Sequence, residues 1–89
     1  MTAPDALITE ARRCAGLFRL GRDIEAALAM VELIDSAMPL VNARPMAEQQ
    51  GWGQILSAIL DCQERQDWIG LADWLEVEFV QQLVMGSCA

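Results

Sequence analysis

From Trp68 onward, apolar residues return at intervals of three and four: Trp68, Leu71, Ala72, Leu75, Phe79 and Leu83. This is the period of one face of an α-helix. Three earlier stretches carry the same signal, and the breaks between them are short. Leu7, Ala11, Cys14 and Phe18, flanked by Ile8 and Ala15, form the first face. Ile24, Ala27, Val31, Ile34, Met38 and Val41 form the second, widened by Leu28, Met30, Leu33 and Ala37. Trp52, Ile55, Ile59 and Cys62, beside Leu56 and Leu60, form the third. Four helices near 4–20, 23–41, 46–63 and 67–84 are therefore expected. They should form an all-α four-helix bundle of two antiparallel hairpins, one domain spanning 1–89.

The breaks follow helix-end chemistry. Thr2 or Ala3 with Pro4 marks the first helix start, since proline loses nothing in the first turn. Gly21 suits the position after a helix C-terminus, and Asp23 and Asp67 are placed to cap the helices that follow. Pro39 removes a donor, so the second helix should end or kink there, before the loop Asn42-Ala43-Arg44-Pro45. Gly51 and Gly53 weaken the third helix and leave its continuity open. Gly16 suggests close approach of another backbone. Asp23-Ile24 to Val31-Glu32 overlays Asp67-Trp68 to Leu75-Glu76 without a gap, a duplicated hairpin pattern. Residues 85–89 read as a frayed tail. The second helix, apolar around much of its circumference, is expected at the centre.

Composition narrows function mainly by exclusion. The net charge is −7, divided as +2 over residues 1–22 and −9 over residues 23–89. Such a balance repels phosphate backbones, so no nucleic-acid partner is expected, and Arg12, Arg13, Arg19 and Arg22 should pair with acids on a neighbouring helix. No stretch reaches the roughly 20 apolar residues of a membrane span. Cys14, Cys62 and Cys88 have no CxxC spacing, and no secretory signal opens the chain. A reduced, cytoplasmic setting is the expectation, with Cys14 and Cys62 as core thiols and Cys88 in the tail.

His, Lys and Tyr are all absent. The usual general base, the commonest metal ligand and the Schiff-base amine are thus missing. Ser36, Ser57 and Ser87 have no base beside them, and Gly51-Trp52-Gly53 is no phosphate loop. The carboxylate pairs Asp61/Glu64 and Asp73/Glu76 fit a solvated face better than acid–base chemistry. No enzyme activity, cofactor or metal site is expected.

With 54% of its residues apolar, so short a chain has more apolar surface than one small core can bury, which points to protein binding or a homodimer. An apolar groove with an acidic rim is expected between the second and fourth helices, with Met30, Met38, Trp52, Asp73, Trp74, Glu76 and Val77 as contact residues. For Trp52 and Trp74 a second reading stands beside this one, in which they close the two ends of the core. The alternatives to an adaptor or chaperone are an immunity or antitoxin-like protein that blocks a basic toxin, and a self-associating scaffold.

The stretch Gln63-Glu64-Arg65-Gln66-Asp67-Trp68-Ile69-Gly70-Leu71-Ala72-Asp73-Trp74-Leu75-Glu76 resembles a segment of small helical bacterial proteins from flagellar and type III export clusters. The resemblance implies an export chaperone that holds an aggregation-prone secreted subunit. It carries no catalytic motif.

Overall fold

The computed structural model describes residues 4–87, with side chains described for residues 5–84. The Thr2/Ala3 cap and Cys88 lie outside the described residues. Those that are described are helical apart from short turns: α1 Pro4–Arg19, α2 Asp23–Asn42, α3 Met46–Glu64, then α4 Trp68–Asp73, a π-helical segment Trp74–Phe79, and α5 Val80–Ser87. The last three run on without a break as one helical rod, so the expected four helices are all present, each within a few residues of its expected bounds. The last continues to Ser87, past the Met85 at which a tail was expected.

α1 and the terminal rod make most of the packing: α1 packs against α2, α4, the π segment and α5, while α3 packs mainly on the rod and touches α2 less. This corrects the expectation of a central α2. The faces of α1 and α3 are those read from the sequence: Leu7, Ala11, Cys14 and Phe18, and Trp52, Ile55, Ile59 and Cys62, are buried. On α2 the buried residues are Ala26, Met30, Leu33, Ala37 and Val41, so Val41 of the expected row and the flanking Met30, Leu33 and Ala37 face the core together with Ala26. The 3-4 row that begins at Ile24 is turned largely out of the core.

Two turns share one hydrogen-bond pattern. The Arg22 N–H donates to the Leu17 carbonyl at 3.0 Å and the Gly21 N–H to that of Phe18 at 3.1 Å. Likewise the Asp67 N–H donates to the Cys62 carbonyl at 2.8 Å and the Gln66 N–H to that of Gln63 at 3.1 Å. This Schellman arrangement puts its turn residue in the left-handed region: Gly21 at φ 78° and Gln66 at φ 56°. Arg22, rather than Asp23, therefore occupies the cap position of α2 and makes no side-chain cap bond. Asp67 caps α4 as expected, accepting from the Gly70 N–H at 3.1 Å. Matching cap to cap pairs Asp67 with Arg22, which moves the overlay of the two halves by one residue.

Gln66 has a Cβ that crowds the backbone in this conformation, at a cost of about 1–2 kcal/mol for an L-residue. Gln66→Gly is expected to raise stability by about 1 kcal/mol, measured as an increased urea midpoint at unchanged m-value.

α2 runs straight through Pro39. The proline lies in its final turn at an exposed position, where water can replace the donor lost to the Asp35 carbonyl. α3 is continuous through Gly51 and Gly53. At Gly51 a Cβ would come within 3.2 Å of Gln82 Nε2, so the glycine admits that side chain from α5. A Cβ at Gly16 would meet nothing within 4 Å, so no backbone approaches there.

The π segment has a cause in the core spacing. Leu71, Leu75, Phe79 and Leu83, all buried, are each four residues apart. Four residues overshoot one α-helical turn by about 40°, so three such steps would carry Leu83 about 120° round from Leu71. The i→i+5 register holds more residues per turn and removes much of that drift. Phe79 then meets Trp52 of α3 edge-to-face, centroids 5.0 Å apart at 82°, and Phe18 of α1 stacks on Trp68 at 5.6 Å.

Candidate functional site

On the outer face of α2, Ile24, Leu28 and Val31 follow one another at spacings of four and three, and the turn residue Leu20 precedes them by four. Their exposures are 77% for Ile24, 66% for Leu28, 64% for Val31 and 73% for Leu20. Ala27, Ile34 and Met38 border the row and are half-buried. Isolated exposed apolar residues are ordinary on a protein surface, whereas an aligned row of large ones marks an interaction face.

The charges around this row are mostly acidic, with Arg22 the base beside its N-terminal end. α2 carries Asp23, Glu25, Glu32 and Asp35 and no basic residue. Asp35 continues the row itself, four residues after Val31, and is exposed. Glu25 is met by Arg22 at 3.8 Å across a solvent-exposed pair. Among the described residues Asp23, Glu32 and Asp35 make no ion pair.

A second feature lies on the terminal rod. Gly70, Asp73, Trp74, Val77 and Glu78 line an open depression of about 380 Å³. Trp74 forms part of its wall and is half-buried against the core. Arg19, at the end of α1, donates to Asp73 at 2.7 Å and also to Glu76. Those hydrogen bonds raise the Arg19 pKa, Glu76 first and Asp73 second. Arg19 thus pairs with acids of a neighbouring helical segment, as expected, while Arg13 bonds within its own helix to Glu10 at 3.0 Å.

The expected contact residues are distributed as follows. Asp73, Trp74 and Val77 come together in the depression, with Glu76 turned to Arg19. Met38 lies on α2, half-buried, and does not line the depression. Met30 and Trp52 are only 2% and 3% exposed, so neither lines a surface: Met30 belongs to the packed row of α2, and Trp52 fills the core against Phe79. No groove shared by α2 and the fourth helix gathers these residues, because Met30 and Trp52 are buried in the core and α2 packs chiefly on α1. Two of the acids expected at its rim, Asp73 and Glu76, already hold Arg19.

The row Leu20, Ile24, Leu28 and Val31 was missed as a surface. The 3-4 repeat through Ile24 and Val31 is visible in the sequence, where it reads as one face of a central helix. Asp35 was the available signal. It falls in line with Ile24, Leu28 and Val31, and an unpaired carboxylate in that line belongs at the surface.

Both described cysteines are buried. Burial pushes the Cys14 thiol up to about 11, partly opposed by Arg13, and its S–H donates to the Ala26 carbonyl at 3.3 Å. Burial also raises Cys62. Raised thiols are poor nucleophiles, so these two act as packing groups. Among the described residues no group of three or more His, Cys, Asp or Glu is gathered closely enough to hold a metal ion, and no helix is long and apolar enough to cross a membrane. The chain matches no protein-family model, no curated protein and no solved structure.

Proposed function

We propose that this chain is a non-enzymatic protein-binding module, an adaptor or chaperone built as two antiparallel helical hairpins, that takes its partner on the outer face of α2. The observation that carries this reading is the exposed row Leu20, Ile24, Leu28 and Val31. Fully covering one such side chain is worth about 1.5–3 kcal/mol. Three or four together match the size of an interface hot spot, which a few well-buried residues supply. The missing His, Lys and Tyr remove the usual general base and the Schiff-base amine.

Affinity capture from native lysate, with mass spectrometry and sedimentation of the purified chain, tests the reading. One partner in stoichiometric amount, lost in Leu28→Ser/Val31→Ser while the helical circular dichroism is kept, is the expected result. A monomer that retains nothing in stoichiometric amount overturns it.

A further inference from the structure

We propose that the occupant of the α2 face is a basic amphipathic helix of another protein. This inference rests on the protein-binding reading and names the chemistry of the partner. The shape of the occupant follows from the spacing. Ile24, Ala27, Val31, Ile34 and Met38 alternate by three and four over 15 residues, whose Cα atoms span about 21 Å of helix. In the folded chain Ile24 and Val31 stand clear of the core, and Ala27, Ile34 and Met38 are only half covered. A straight row of this period offers ridges and holes that the matching row of a second helix fills, and a flat or extended partner leaves the holes empty.

The charge of the occupant follows from what surrounds that row. Asp23, Glu25, Glu32 and Asp35 are the only charged residues of α2; Arg22, at its N-terminal cap, meets Glu25, and Asp23, Glu32 and Asp35 make no ion pair among the described residues. An incoming helix covers Asp35 because it stands in line with Ile24, Leu28 and Val31, and a covered carboxylate must find a cation or a set of donors. Arg or Lys beside the partner's apolar row supplies it. The whole chain reinforces the choice, since its net charge is −7 even with the +2 of residues 1–22, and such a charge draws a basic segment from a distance. A second copy of this chain fits less well. Its α2 would bring four more acids to the same seam and only Arg22, already beside Glu25, as a base.

The test uses the full chain and two labelled three-heptad peptides with Leu at positions a and d, one with Arg and the other with Glu at e and g. Fluorescence anisotropy at physiological salt is expected to give at least about tenfold tighter binding of the Arg peptide. Leu28→Ser/Val31→Ser should weaken that binding by about tenfold or more. Asp35→Asn should weaken it about threefold and flatten its salt dependence. These positions are exposed, so circular dichroism should be unchanged in every variant. Equal affinity for the two peptides overturns the proposal, as does Arg-peptide binding no tighter than about 1 mM. A dimer by sedimentation that the double variant dissociates also overturns it and assigns the face to self-association. If a lysate partner is captured through Leu28 and Val31 while the Arg preference fails, only the basic-helix assignment falls. If capture fails too, the protein-binding reading falls with it.

Discussion

Phe79→Ala is expected to cost about 3–5 kcal/mol and to leave much of the population unfolded at ambient temperature. Phe79 is fully buried and meets Trp52 edge-to-face, so it ties the terminal rod to α3. Alanine would remove the ring and leave a cavity between two helices that cannot close independently. The π register of residues 74–79 adds to the effect, because its reason is to bring Phe79 onto the core side. In a chain of this size each kcal/mol moves the midpoint by about 4–8 °C, so thermal melts should show a fall of at least about 12 °C. Phe79→Leu, which keeps most of the volume, should lose less than half as much. A drop under about 1 kcal/mol for the alanine variant would mean that the ring is not packed as described.

Stability should also decline between pH 9 and 11, and Cys14 is the main cause. In an unfolded chain this thiol ionises near its ordinary value of 9.0, whereas burial in the fold lifts it to about 11. Below pH 9 it is protonated in both states and the fold keeps its full stability. Between pH 9 and 11 the unfolded chain releases a proton that the folded chain retains, so unfolding gains in favour. Above 11 both forms ionise and the loss levels off, at about 2–3 kcal/mol. Cys62 shifts in the same direction. Urea midpoints at pH 8, 9, 10 and 11 would show the decline, and Cys14→Ala should remove most of its slope whatever it does to the absolute stability. A profile equally steep in Cys14→Ala would place the titrating group elsewhere.

The sequence was most informative where one apolar row had a single possible destination. α1 and α3 each show one row, and Leu7, Ala11, Cys14 and Phe18, or Trp52, Ile55, Ile59 and Cys62, could face only the core. Helix ends were also legible, because Gly21 and Asp67 act through bonds to residues only a few positions away. α2 was ambiguous because it has two apolar rows. Periodicity counts both alike, and only the neighbours that α1 provides decide that Ala26, Met30 and Leu33 pack while Ile24 and Val31 do not. Small residues such as Ala26 and Ala37 allow close helix packing, and hydrophobicity alone does not rank them above a larger Ile or Val. The pairing of Arg19 with Asp73 and Glu76 joins residues more than fifty positions apart, so nothing local announces it. That is why the acids of the terminal rod read as a free rim.

Because α1 is the main support of α2, the second helix has few anchors of its own. The amides in α2 should therefore exchange with solvent through a partial opening that leaves the packing of α3 on the terminal rod intact. Such an opening exposes Ala26, Met30 and Leu33 and dismantles the outer row at the same moment. Whatever covers Ile24, Leu28 and Val31 binds only the closed form, and so it sets how long α2 stays docked. Slowed exchange confined to residues 23–42 would then be the imprint of a bound partner, readable without knowing its name.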